Sequence, residues 1–365
     1  MNTKIEFHMI QSFPPSNLNR DESNMPKDTV FGGVRRARIS SQCLKRAIRL
    51  SEHFSEQTQL SPSARTRKLK LLLVEKLNQI KPSEDNQKLA EDFTVKLLGN
   101  MDKKNSNLSN VLFFVSEEEV EKISQSLLKN EKIDDVVDEY KREFSKRTSA
   151  PDIALFGRML AADPKLNVNA ACQVAHAIST HKVDMDLDFF TAAESIMDSE
   201  DAETMNLGAA MMGVTGYNSS CFYRYAAIDW GQLIVNLAGD QELAINTTKG
   251  FMQAMAYALP TGKQTSFAAN TMPYFMMAVI RNDGQAWSLV NSFEQPVYSK
   301  KGLQKESLEK LISHWNRLNK VYSIPNKEPK AFSLLLEDDP EVKLPGLTCE
   351  TINDWITRVS ESIRE

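Results

Sequence analysis

The first apolar positions set the pattern. In Lys4–Ile10 (KIEFHMI), Ile5, Phe7 and Met9 alternate with Lys4, Glu6 and His8, which predicts a half-buried strand over 4–10. A polar loop with Pro14, Pro15 and Pro26 follows, then Gly32-Gly33. Ser40-Ser41 precede Leu44, Ala47 and Ile48, an i, i+3, i+4 face that predicts a Ser-capped helix over 41–54. From about 61 to 150 the period is helical, with helices expected near 64–79, 83–98 and 117–145 and an apolar run, Val111–Val115, between them. Ser83 is a candidate N-cap, Gly99 a stop, and Ser116-x-x-Glu119 a capping box. Strand character returns at 152–156 and 168–182. Residues 193–220, with Gly208, Gly213 and Gly216 among small residues and methionines, suit an extended excursion. A strand is expected over 221–230, a helix over 241–259, and a hairpin of 273–281 and 286–293 about Asn282-Asp283-Gly284. Helices are expected near 303–321 and 349–363.

With the helical block set aside, the order reads β, α, β, β, α, β. That is the α+β, split ferredoxin-like arrangement shared with RNA-recognition modules. The organisation expected is a first core part over 1–60, a helical insertion over 61–150, core strands over 151–192, the excursion over 193–220, and the rest of the core over 221–365.

Charge changes the picture. The 365 residues carry a net charge of −4, with 25% charged and 41% hydrophobic residues. Yet Gly32–Leu50 holds six basic residues and no acid, whereas Val183–Tyr223 holds eight acids and no base. Such polarity permits nucleic-acid binding and head-to-tail stacking of copies. The four cysteines (Cys43, Cys172, Cys221, Cys349) are far apart with no CxxC, so neither a metal site nor a disulfide framework is expected. No apolar run approaches the roughly 18 residues of a membrane span, and the N-terminus lacks the pattern of a signal peptide. A cytoplasmic protein without a cofactor is expected.

Leu18–Arg49 combines a loop, a glycine pair, a guanidinium cluster and a Ser-capped helix with a cationic stripe. Backbone N–H groups at a helix start attract phosphate, and Ser40 and Gln42 add hydrogen bonds beside Lys45, Arg46 and Arg49. A solvated basic helix face would show the same charges. His8, His176 and His181 lie on predicted strands without an evident partner cluster. The loop acids Asp21 and Asp28 lie among basic residues.

The text LNRD…NMPKD…FGG…RRARISSQCLKRA resembles the N-terminal signature of the CasC-type backbone subunit of type I-E Cascade, within the RAMP superfamily. The likeness continues through ALFGRM (154–159), AHAISTHKVDMDLDFFTA (175–192) and FYRYAAID (222–229), and it is weakest in the insertion. The resemblance implies an RRM-like palm, helical fingers and a projecting thumb. It implies a protein that does no chemistry and stacks in copies along CRISPR guide RNA beside other Cascade subunits, exposing bases to complementary target DNA. It places palm contacts at Arg20, Lys27, Ser40, Gln42, Lys45, Arg46 and Arg49, and a second backbone-contacting loop at Lys263 and Gln264. Met211, Met212, Val214 and Thr215 become the thumb's wedge candidates, with Met159 a further one. Two alternatives stay open: a RAMP-fold endoribonuclease acting on CRISPR RNA, and an acidic interaction protein whose basic helix meets a protein. The C-terminal third has only isolated glycines, which tells against the glycine-rich loop of RNA-processing relatives.

Overall fold

The computed structural model describes residues 3–129, 132–161, 163–192, 211–322, 324–325, 327–337 and 339–364. β1 (Lys4–Ser16) lies inside a ten-stranded sheet, and both of its faces are covered: every residue from Ile5 to Gln11 is buried. The half-buried strand expected here is therefore corrected. Glu6 and His8 tolerate burial because each has partners. Arg281 Nε and the Trp287 N–H donate to Glu6 Oε1 at 2.8 and 2.6 Å, and His8 Nδ1 is hydrogen-bonded to the Tyr223 hydroxyl at 2.9 Å.

β2 (Asp28–Phe31) and β3 (Val34–Ile39) form a hairpin about Gly32 and Gly33, both at positive φ. A Cβ on Gly32 would sit 1.7 Å from the Glu294 carbonyl oxygen, whereas one on Gly33 meets open space. Gly32→Ala is therefore expected to cost roughly 2–4 kcal/mol and Gly33→Ala about 1–2. Denaturant midpoints measure both; equal losses would show that packing against Glu294 is not the cause.

α1 (Ser41–Arg49) buries Leu44 and Ile48 and ends at Leu50, and α2 (Glu52–Thr58) follows, so the single helix expected over 41–54 is two. The insertion comprises β4 (Ala64–Thr66), α3 (Leu69–Ile80), α4 (Asn86–Leu98), β5 (Phe113–Val115), α5 (Glu117–Lys129) and α6 (Ile133–Glu143). It has its own core, in which Leu73, Leu77, Phe93, Ile123, Val137 and Tyr140 are buried together. The capping box forms: Ser116 Oγ accepts from Glu119 N at 3.1 Å, and Glu119 Oε2 accepts from Ser116 N at 2.8 Å. Gly99 ends α4 at φ 84, but the N-cap of α4 is Asp85 rather than Ser83.

The strand expected over 152–156 is instead the helix α7 (Pro151–Phe156). Pro151 at its start and Gly157 at its end are helix-boundary residues, and so short an apolar run has no period to distinguish the two states. β6 (Cys172–Val174) and β7 (Ala177–Ser179) replace the single strand expected over 168–182, and both pair with the later strand Met211–Asp229. β8 (Asp186–Ala192) and β9 (Met211–Asp229) form a long antiparallel ribbon, from Asp186↔Tyr217 to Ala192↔Met211. Residues 193–210 of the expected thumb lie outside the described residues.

α8 (Trp230–Asn236), α9 (Gln241–Tyr257), α10 (Gln264–Phe267) and β10 (Phe275–Arg281) follow. The expected 286–293 hairpin arm is absent. Its N–H groups serve buried side chains instead, Trp287 donating to Glu6 and Leu289 to the Tyr223 hydroxyl. The edge of β10 is taken by β11 (Lys330–Leu335), after α11 (Gln304–Tyr322); β12 (Leu347–Cys349) runs parallel to β11, and α12 (Ile352–Arg364) closes the chain.

The sheet order is β12-β11-β10-β1-β9-β7-β3-β2. Around β1 the antiparallel core is thus β10-β1-β9-β7. One face carries α1, α9 and α12 through Ile48, Phe251 and Trp355; the other carries α11 through Leu308, Leu311 and Trp315. No helix among the described residues is long and apolar enough to cross a membrane.

Candidate nucleic-acid interface

Ser40 caps α1, accepting from Cys43 N at 3.3 Å while its own N–H donates to Asn19 Oδ1 at 2.8 Å. The N-terminus of α1 is thereby fixed to the loop that carries Arg20. That loop folds on itself. Asp21 Oδ1 accepts from Ser23 N and Met25 N at 2.8 and 3.0 Å, and Arg20 is exposed, bridging to Pro26 through its backbone.

The basic run does not form one cationic surface. Arg36 is buried and donates to the Ser179 and Phe293 carbonyls at 3.0 and 2.7 Å, and burial lowers its pKa. Arg38 Nη1 lies 3.0 Å from His176 Nδ1, while Arg35 pairs with Asp28 at 3.1 Å. Burial, then Arg38 and Lys27, lower the pKa of His176. Arg49 departs most from expectation. Its Nε donates to buried Asp152 at 3.1 Å, its Nη2 to the Ser63 carbonyl at 2.8 Å, and it covers the Phe114 ring at 4.3 Å. The solvent-facing stripe expected of Lys45 with Arg49 is corrected: Arg49 is a tether between α1 and the insertion.

What remains turned outward is Gln42, Lys45 and Arg46. They share a groove of about 1230 Å³ with Met159, Arg65, Arg49 and Arg158, between α1 and the two-stranded β4–β5 sheet. Five basic residues line it and no carboxylate does. Met159 stands 86% exposed at its rim, and Lys45 Nζ lies 5.5 Å from the Phe156 ring centroid. Arg46 also lines a second groove of about 380 Å³ with Arg20, Asn24 and the Pro260–Gly262 loop. The two grooves therefore run together past one guanidinium. Lys27 stands near Cys43, whose thiol pKa is raised by burial against the opposing pull of Lys27 and Arg46.

The Lys263–Gln264 loop packs closely against this region: a Cβ on Gly262 would sit 2.4 Å from the Leu18 carbonyl oxygen. The Gln264 amide is used internally, donating to the Pro260 carbonyl at 3.1 Å and accepting from Ala269 N at 2.9 Å; Lys263 is half-buried at positive φ.

The thumb candidates lie apart. Met211 and Met212 begin β9, in register with Ala192 and Thr191. Val214 is exposed opposite Phe189 and Thr215 half-buried opposite Asp188, so these neighbours occupy opposite faces of the ribbon. Among the described residues the ribbon lines neither groove. Asn17 Nδ2 donates to the Gly216 carbonyl at 2.8 Å and Met25 packs on Gly216, tying the ribbon's base to the Arg20 loop.

His181, the third of the strand histidines singled out above, is spent structurally: its Nε2 accepts from Cys221 N at 3.2 Å and its Nδ1 lies 2.7 Å from the Lys182 carbonyl oxygen. Among the described residues no group of three or more His, Cys, Asp and Glu is placed to hold a metal ion. Sequence reasoning missed Arg65, Leu112, Phe114 and Arg158 in the groove. Their signal, an Arg facing an aromatic across a two-stranded pairing, depends on a contact between positions 65 and 114 that no local pattern reveals.

No curated protein matches the chain. Among solved structures, it is similar to a chain of a "CRISPR RNA-guided surveillance complex, pre-nicking" at 25% identity and a TM-score of 0.86, covering 98% of this chain and 99% of that one. It shares a fold with a chain of a second "CRISPR RNA-guided surveillance complex" at 23% identity and a TM-score of 0.64, covering 99% of each. Both findings agree with the resemblance carried by 18–49 and 175–192. The profile of the CT1975-like proteins matches residues 5–357, and the chain belongs to that family.

Proposed function

We propose that this protein is a non-enzymatic, RNA-binding backbone subunit of a Cascade-type CRISPR surveillance complex. It oligomerises along CRISPR guide RNA beside other Cascade subunits and presents the guide for pairing with complementary target DNA. One observation carries the reading: in a chain of net charge −4, a groove of about 1230 Å³ is lined by no carboxylate and by Lys45, Arg46 and Arg65, which have no ion-pair partner among the described residues. Such a surface suits a phosphodiester chain.

The core strand order β10-β1-β9-β7, fourth-first-third-second among the four strands, supports the ferredoxin-like, RRM-like palm. The ribbon of β8 and β9 supports the thumb, whose wedge acts on RNA held by a neighbouring copy; among the described residues it lines neither groove of its own chain. The charged groups lining the wide groove are Lys and Arg, which suit phosphates. Asp21 and Asp28, the acids a nuclease would need here, are engaged in a loop turn and an ion pair.

Purified protein is expected to carry nucleic acid and to bind two unrelated RNAs equally. The logarithm of affinity should fall with the logarithm of salt at a slope of about −3, from contacts by Arg20, Lys45, Arg46 and Arg65 at about 0.7 each. The RNA should stay whole with Mg²⁺ and with EDTA. A marked preference between the RNAs with a flat salt slope, or Mg²⁺-dependent cleavage lost in Asp21→Ala, would overturn the reading.

A further inference from the structure

The wide groove has two walls, and only one belongs to α1. The other is the two-stranded β4–β5 sheet of the insertion, in the register Ala64↔Val115, Arg65↔Phe114, Thr66↔Phe113. Phe113 and Val115 are buried in the core of the insertion. Strand alternation then turns Arg65 and Phe114 to the opposite face, and both line the groove. Arg65 is exposed and, among the described residues, has no ion-pair partner. Leu112 is 45% exposed beside it, with Met159 also on the rim.

This wall is held in place from the palm side. Arg49 on α1 reaches across to the Ser63 carbonyl and the Phe114 ring, and Arg158 Nη1 donates to the Phe114 carbonyl at 3.3 Å. The separation between Arg65 and the Lys45/Arg46 face is therefore built into the fold rather than set by ligand. The volume exceeds the about 300–1,000 Å³ usual for a small-molecule pocket. Cations interleaved with apolar groups match a single strand, whose phosphates meet the cations while its bases lie against apolar surface. An acidic peptide would use the cations and leave Leu112 and Met159 unused.

We propose that the two-stranded β4–β5 sheet is the second wall of the guide-RNA site, Arg65 meeting a phosphate that α1 does not reach while Leu112 and Met159 flank a base. The inference rests on the RNA-scaffold reading above and assigns to the insertion a direct part in holding the guide.

The test is fluorescence anisotropy of the whole protein with a labelled single-stranded RNA over a salt series, with and without complementary DNA. Arg65→Ala is expected to weaken RNA binding roughly 5- to 10-fold at about 0.15 M salt and to reduce the salt slope by about 0.7. Arg65→Lys is expected to keep the slope. Melting should not change in either variant. Unchanged affinity and slope in Arg65→Ala, while Arg46→Glu abolishes binding, would overturn this inference and leave the proposed function standing. If Arg46→Glu also binds as before, the proposed function itself falls. A loss that appears only once complementary DNA is added would also overturn the inference, because Arg65 would then serve the target strand.

Discussion

Replacing Glu119 with alanine is expected to destabilise the insertion by about 3–5 kcal/mol, because it strands a buried guanidinium. Arg158 and Glu119 meet at 2.5 Å with both side chains almost wholly excluded from water, and the Tyr140 hydroxyl donates to the same carboxylate at 3.1 Å. Burial alone would lower the pKa of Arg158; Glu119 and Tyr140 overcome it and hold the guanidinium above its ordinary value. Without Glu119, Arg158 retains the Leu166 and Phe114 carbonyls but no counter-charge. The helix start loses a bond as well, since Glu119 also accepts from Ser116 N. Glu119→Gln keeps one acceptor oxygen, for Arg158 or for Ser116 N but not for both, and is expected to lose less than alanine. Thermal melting combined with hydrogen exchange on α5 and α6 measures the effect. A change below about 1 kcal/mol in the alanine variant would show that the pair does not hold the insertion.

The contrast between these buried pairs and the sequence shows what was legible. α9, α11 and α12 announce themselves by period, and α5 also by its capping box, because those signals lie within one or two turns. β1 is legible by its alternation and β10 as an apolar run. The partners of charged residues are not: Asp152 lies 103 positions from Arg49, and Glu119 lies 39 from Arg158. Charge counting gave six cations in Gly32–Leu50 but not that Arg36 and Arg49 turn inward. The same limit explains β1, whose Glu6 reads as a solvent position until Arg281 is placed beside it. At α7 and at 286–293 short apolar runs gave no period, and tertiary contacts decided the outcome. The β11 strand, between the helices expected near 303–321 and 349–363, was not anticipated. In the site, Gln42, Lys45, Arg46 and Met159 are brought to one groove, whereas the thumb candidates stand away from it.

That sorting of cations decides how the proposed RNA surface is best tested. Lys45→Glu with Arg46→Glu is expected to abolish assembly on RNA while leaving the fold intact. Arg46 is exposed and lines both grooves, so reversing it leaves no buried partner behind. Lys45 gives up its place over the Phe156 ring, a contact of about 0.5–1 kcal/mol. Hydrogen bonds to charged groups contribute roughly 1.5–3 kcal/mol each, so losing two weakens binding on the order of a hundredfold or more, with added repulsion between the new carboxylates and phosphate. Pairing Lys45→Glu with Arg49→Glu, the choice that helical spacing alone suggests, would confuse the result. Arg49→Glu sets a carboxylate against Asp152, which is almost fully buried, and is expected to cost about 3–5 kcal/mol of stability. Circular dichroism melts should therefore keep the Lys45/Arg46 variant within about 1 kcal/mol of the parent and show a clear drop for Arg49→Glu. Sedimentation with a long RNA should then show the parent as a multi-copy complex and the Lys45/Arg46 variant as free protein. A Lys45/Arg46 variant that folds and still sediments with RNA would mean that α1 is not the surface on which the guide lies.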